Sequence, residues 1–215
     1  MSDSMLNKKI GRYELQEVIG EGAMATVYRA YDPEINRSVA CKILKKEYCV
    51  DKEYTSRFLR ESKAAGALSH ASIVTIHDVG EVDGSPYIMM ELIQGQDLGE
   101  VLKVRHKLSV TETLLIVLNL AKALDYAHAE NIVHRDIKPD NIILLSDGQS
   151  VKVADFGIAR LSESDEAQKT QIGSVLGTPR YMSPEQALGK DIDGRSDLFS
   201  VGTIMYEMLS GRKTF

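Results

Sequence analysis

Between Tyr13 and Ile93 the apolar residues come in short runs rich in β-branched and aromatic side chains, among them Thr26-Val27-Tyr28, Ser38-Val39-Ala40-Cys41-Lys42-Ile43-Leu44 and Tyr87-Ile88-Met89-Met90. Gly, Pro, Asp and Asn separate them, which predicts strands of a small antiparallel sheet. One stretch breaks the pattern. Phe58, Leu59, Ser62, Ala65, Gly66 and Leu68 lie near one face of a helical wheel, with Arg57, Arg60 and Lys63 elsewhere, so a helix carrying Glu61 interrupts the strands. After Gln94-Gly95-Gln96 the period becomes mainly helical, and Ser109 with Glu112 forms a capping-box candidate ahead of residues 114–128. The pattern is that of an α+β chain. It divides into an amino-terminal extension (1–12), a sheet-rich lobe (13–93) and a mainly helical lobe (94–215), joined near Glu91-Leu92-Ile93.

Composition narrows the class without naming a function. At 215 residues, 43% hydrophobic and 27% charged, the chain can bury one sizeable core or two small ones, and disorder is excluded. A net charge of −5 and a pI near 5.6 give no reason to expect a nucleic-acid partner. Cys41 and Cys49 read as reduced, structural thiols. No apolar stretch reaches the length of a signal peptide core or a membrane span, and a cytoplasmic location is the expectation.

The candidate chemistry sits in His134-Arg135-Asp136-Ile137-Lys138-Pro139-Asp140-Asn141, followed by Asp155-Phe156-Gly157. Phosphoryl transfer to a hydroxyl passes through a transition state of dispersed negative charge. It therefore needs a cation, hard oxygen ligands for Mg²⁺ and a carboxylate to orient the nucleophile. Asp136 is the candidate carboxylate, with Asn141 and Asp155 as candidate metal ligands. Upstream, Ile19-Gly20-Glu21-Gly22-Ala23-Met24-Ala25-Thr26-Val27 is a glycine-rich hairpin whose backbone N–H groups can approach phosphates. Alone it is equally an ordinary β-turn. A dinucleotide fingerprint is disfavoured because Val27-Tyr28 continues as a strand. Lys42 on the following strand alternates with Ala40 onto one face, and Glu61 on the predicted helix is its candidate partner. His70, His77, His106 and His128 are scattered, show no ligand spacing and are assigned no chemistry.

These motifs, in this order, resemble the eukaryotic-like serine/threonine protein kinases, and Gly177-Thr178-Pro179-Arg180-Tyr181-Met182-Ser183-Pro184-Glu185-Gln186 resembles their bacterial branch. The resemblance runs from about Tyr13 to Phe215. It implies a bilobal kinase-like fold and the cofactors ATP and Mg²⁺, with Mn²⁺ able to substitute. It also implies protein substrates bearing Ser or Thr, Lys138 being the version found in kinases of alcohols. By carry-over, Lys42 binds the α- and β-phosphates, Met90 is the gatekeeper, Glu91 and Leu92 bind adenine, and Asp97 contacts the ribose. Val27, Ala40 and Ile143 form the apolar walls. His134 is structural, and Asp197 holds the backbone of the catalytic loop. Ser174 matches the main activating phosphosite, Thr170 is a second candidate, and Arg135 supplies the cation for the phosphate.

The chain departs from the family in two places. Ala25 stands where the third glycine of the hairpin is usual. The sequence also stops soon after the helix containing Leu198, Phe199, Val201, Ile204, Met205, Met208 and Leu209, where family members continue for several helices. The expectation is an apolar face seeking a dimer or another covering partner, and Glu185 left as an unpaired buried carboxylate. The competing function is a weakly active or inactive pseudokinase-like module that binds nucleotide or a partner.

Overall fold

Alternation along strand β4 (Arg37–Leu44) organises the first unit: Val39, Cys41 and Ile43 are almost fully buried on one face, and Ala40 and Lys42 take the other. The computed structural model describes residues 5–6, 8–156 and 179–214. They form two compact units, Met1–Ala67 with Thr75–Ile93 and Leu68–Val74 with Gln94–Phe215.

In the first unit β4 is joined by β1 (Lys9–Ile10), β2 (Tyr13–Glu21), β3 (Ala25–Asp32), β5 (Ile76–Val82) and β6 (Ser85–Glu91). The order is β1-β2-β3-β4-β6-β5, with every pair antiparallel. Its core gathers Ile10, Tyr13, Leu15, Tyr28, Ala30, Val39, Cys41, Ile43 and Met89, and burial contributes about 1.5–3 kcal/mol for each large side chain. The same burial pushes the Cys41 thiol up to about 12, so it behaves as a small apolar group. The segment before Tyr13, set apart from the sequence as an extension, takes part in this core. Ile10 is 2% exposed, and Met5 and Leu6 pack against the cluster.

Helix α1 (Lys52–Ala65) starts at Asp51, whose Oδ1 accepts from the Glu53 and Tyr54 amides at 2.8 and 3.2 Å. Its buried residues are Tyr54, Phe58, Ser62 and Ala65, and it packs on β5 and β6. Three of the residues expected on this face are there. Gly66 instead caps the helix, Leu68 belongs to the second unit, and Tyr54 joins the face from the first turn.

The second unit contains a three-stranded antiparallel sheet, β7 (Gly95–Asp97), β8 (Ile142–Leu145) and β9 (Val151–Val153), in that order. Gln94-Gly95-Gln96, expected to mark the end of the strands, thus runs into one. A three-residue polar strand carries no alternation to reveal it. The backbone approach is close: a Cβ on Gly95 would fall on the Leu144 carbonyl oxygen, inside any tolerable contact. Around the sheet lie α2 (Leu98–Arg105), α3 (Val110–Ala129), α4 (Pro184–Ala187) and α5 (Gly194–Ser210).

The expected capping box opens α3. Ser109 Oγ accepts from the Glu112 amide, and the Glu112 carboxylate accepts from the Ser109 amide at 2.9 Å. Ile116, Leu120, Ala123, Leu124 and Ala127 are buried along α3, which packs on α5. On α5, Val201, Ile204 and Met208 are buried, whereas Leu198 and Leu209 are 53% and 37% exposed. The helix therefore spends part of its apolar circumference on the core and shows part of it. Among the described residues no helix is long and apolar enough to cross a membrane.

Candidate active site

The candidate residues fall into two sets, one in each unit. In the first, Gly22-Ala23-Met24 turns β2 into β3, and the Gly22 amide donates to the Ala25 carbonyl at 2.9 Å. A Cβ on Gly20 would come no closer than 3.7 Å to Val27, and one on Gly22 no closer than 3.4 Å to Ala25 O. Neither glycine has a positive φ. The fold thus makes no demand for glycine at these positions, and what the missing side chains provide is open backbone. Ala25, in place of the third glycine, is 6% exposed and sits opposite Leu44, so its methyl belongs to the sheet. Glu21 pairs with Thr26, Ala23 is exposed at the tip, and Ile19 is 43% exposed on β2.

Register then brings further candidates together. Val27 lies opposite Lys42, and Ala40 opposite Met90, so Val27, Ala40, Lys42 and Met90 share the sheet face turned away from the Val39-Cys41-Ile43 core. Glu91 ends β6, its amide donating to Thr75 O at 2.9 Å, and Leu92 follows half-buried. Glu61 sits two turns after Tyr54 on α1, largely buried, with Arg60 Nη2 at 3.5 Å from its Oε1.

In the second unit, Asp136 is half-buried, and its Oδ2 accepts from Lys138 Nζ at 2.6 Å and from Asn141 Nδ2 at 3.1 Å. Asn141 Nδ2 also donates to the Asp136 carbonyl at 2.8 Å, which leaves its own oxygen for a cation. The loop is held from behind by Asp197, 1% exposed. Its Oδ2 accepts from the His134 amide at 2.9 Å and its Oδ1 from the Arg135 amide at 2.8 Å. His128 Nε2 lies 2.8 Å from Asp197 Oδ2, so this histidine positions the aspartate, a role its isolated place in the sequence did not show.

His134 is fully buried. Its Nδ1 accepts from the Asp136 amide at 3.2 Å, which leaves Nε2–H to donate to Ala154 O at 2.8 Å, and Phe156 packs edge-on against the ring. The Ala154 amide donates to Asn141 O at 2.9 Å, so Asp155, with φ +64°, follows directly from a residue bonded twice to residues 134–141. Asp97 lies opposite Ile143 across β7 and β8, and its Oδ1 caps α2 by accepting from the Glu100 amide at 2.9 Å. Beside this segment is a cavity of about 300 Å³ whose lining includes Asp140, Arg180, Tyr181 and Glu207.

Residues 13–215 match the protein kinase domain family. The chain belongs to that family. It is 46% identical over 209 residues to a probable serine/threonine-protein kinase of Streptomyces coelicolor, SCO3848, which covers 95% of this chain and 31% of that protein. To serine/threonine-protein kinase PknA of Mycobacterium tuberculosis it is 43% identical over 210 residues, 95% of this chain and 48% of PknA. The crystal structure of the M. tuberculosis PknI kinase domain superposes with a TM-score of 0.80 at 32% identity, covering 97% of this chain and 78% of that one. The chain thus spans between about a third and a half of the length of these two curated relatives.

Within this kinase fold, Glu185 corrects an expectation. Expected as an unpaired buried carboxylate, it is instead half-buried and accepts a hydrogen bond from Ser196 Oγ, which holds its carboxyl below the usual range. Gln186 makes a further link that the sequence did not show: its Nε2 donates to Arg135 O at 2.7 Å and so ties α4 to residues 134–141. Ser183-x-x-Gln186 is a readable capping box, but nothing local says that its glutamine reaches residue 135. Ser174 and Thr170 lie outside the described residues.

Proposed function

We propose that this chain transfers the γ-phosphoryl group of ATP to Ser or Thr hydroxyls of proteins. The observation that carries the reading is the bonding of Asp136. Lys138 and Asn141 both engage Oδ2, and among the described residues Oδ1 takes no hydrogen bond. A substrate hydroxyl donating to Oδ1 would be oriented toward the phosphorus. As its oxygen forms the new P–O bond, the bond to the ADP oxygen breaks and the hydroxyl proton passes to Asp136. Lys138, beside that carboxylate, offsets charge on the transferring group.

The backbone of residues 20–25 and Lys42 would take the ATP phosphates, and Val27, Ala40, Met90, Glu91, Leu92, Asp97 and Ile143 the nucleoside. Asn141 and Asp155 offer one amide and one carboxylate oxygen, a donor set that suits Mg²⁺ completed by phosphate oxygens and water, with Mn²⁺ as substitute. When bound, the metal neutralises phosphate charge. Arg135 Nε is buried without a hydrogen-bond partner among the described residues, which supports its use as the cation for a phosphate at Ser174 or Thr170. A cytoplasmic setting fits the supply of MgATP. The exposure of Leu198 and Leu209 supports a second copy or another protein covering α5. A monodisperse monomer by light scattering would remove that last element.

The decisive test pairs two measurements on the same preparation: transfer from radiolabelled ATP to a generic basic protein, and thermal stabilisation by MgATP. Transfer supports the kinase. Stabilisation without transfer supports a nucleotide-binding module, and absence of both overturns the reading.

A further inference from the structure

The hairpin tip is anchored from one side by a contact that the kinase reading does not use. Tyr54 is 3% exposed in the first turn of α1, and its hydroxyl donates to Met24 Sδ at 3.0 Å. Met24 is the last residue of the Gly22-Ala23-Met24 turn, and its carbonyl accepts from the Lys45 amide at 2.9 Å. One residue of the tip is therefore held twice, by its backbone to the end of β4 and by its side chain to α1.

The direction of that hold has a mechanical meaning. Tyr54 and Glu61 are two helical turns apart, which puts them on nearly the same side of a rigid rod. The Asp51 cap fixes the first turn through the Glu53 and Tyr54 amides, and Phe58 and Ser62 anchor the middle against the sheet. A rotation or slide of α1 that moves Glu61 must move the Tyr54 hydroxyl as well, and with it the thioether it grips. Methionine suits this task, since an unbranched thioether follows a moving donor without a steric penalty.

We propose that Tyr54 and Met24 are positioning residues that couple the phosphate-binding hairpin to helix α1, so that the hairpin is ordered when the helix places Glu61. The role in nucleotide affinity rests on the kinase reading, whereas the coupling itself does not. The Tyr54→Met24 bond restricts the free tip and so lowers the ordering cost of binding a triphosphate.

The experiment is a double-mutant cycle on the full chain with Tyr54→Phe, Met24→Leu and the pair, read in two ways. Without nucleotide, hydrogen exchange at the amides of residues 22–25 and Lys45 should speed up about three- to tenfold in each single variant, the range for one lost hydrogen bond. The pair should be no faster than either single variant. With a non-hydrolysable ATP analogue and Mg²⁺, calorimetry should show Kd weakened by about the same factor. Met24→Gln, which restores an acceptor at similar reach, should recover most of both effects.

Unchanged exchange in Tyr54→Phe overturns the coupling, whether or not the protein is an active kinase. Additive effects in the pair do the same. Changed exchange with unchanged Kd overturns the role in nucleotide binding. If the wild-type chain binds no analogue, the kinase reading fails and the exchange cycle alone decides the coupling.

Discussion

The glycine-rich hairpin and residues 134–141 carry the two densest motifs of this chain, yet they are built on different principles. In residues 134–141 the backbone is tied down by side chains: buried Asp197 takes two amides, His134 bridges to Ala154, and Asn141 grips the Asp136 carbonyl. In residues 20–25 the backbone is paired within the sheet, but Glu21, Gly22 and Ala23 stand exposed, and the glycines answer to no steric demand of the fold. A segment that must present one oxygen at a fixed place needs a network around it. A segment that must lie against a ligand needs an exposed edge without bulky side chains.

The largest effects should come from residues 134–141. Asp136→Asn should retain MgATP binding while turnover falls by a factor on the order of 10²–10⁴, measured as initial rates on a folded preparation. Unchanged turnover would remove Asp136 from its assigned role and break the contrast. Lys42→Met, on the hairpin side, should weaken transfer as well. Next, Asp197→Ala leaves the His134 and Arg135 amides without their acceptor, and urea unfolding should show a loss of about 2–5 kcal/mol. A loss under about 0.5 kcal/mol, the usual range for surface substitutions, would show that the network does not hold the loop.

The third prediction compares glycines. Gly95→Ala drives a methyl into the Leu144 carbonyl, which cannot move without opening the β7–β8 ladder, and should cost about 1–3 kcal/mol. Gly22→Ala meets only ordinary contact and should change stability by less than about 0.5 kcal/mol. Its effect should appear in ATP affinity instead. Equal thermal shifts for the two variants would show that the hairpin glycine is structural after all.

The smallest effect is a control outside both regions. Bidentate hydrogen bonding from Arg105, then the Ser109 hydroxyl and amide, hold the Glu112 carboxyl down to about 2. A depressed folded-state value means stability that is present above the unfolded value of about 4.3 and lost as pH falls toward about 2. The side chain is 34% exposed, so screening reduces the contribution to about 1 kcal/mol. Glu112→Gln should therefore be less stable than wild type by about that amount at pH 7, and the gap should close between about pH 5 and pH 2. A gap independent of pH would assign the effect to packing.

Sequence alone determined those features whose cause lies within a few residues. Period and turn residues placed the strands of the first unit, Ser109 and Glu112 placed the start of α3, and alternation put Ala40 and Lys42 on one face. Motif order was enough to expect a kinase, because spaced residues of specific chemistry are a local record. What sequence left hidden depends on partners far along the chain. Whether Glu185 finds a hydroxyl at Ser196, whether His128 reaches Asp197, whether Gln186 reaches Arg135 and whether Tyr54 reaches Met24 are decided by packing. The short sheet of Gly95–Asp97, Ile142–Leu145 and Val151–Val153 was hidden for the same reason: strands of three or four residues have too little pattern of their own, and only pairing makes them strands. Side-chain type is written one residue at a time, whereas a hydrogen bond needs two groups within about 3 Å, and only the tertiary structure brings distant residues that close.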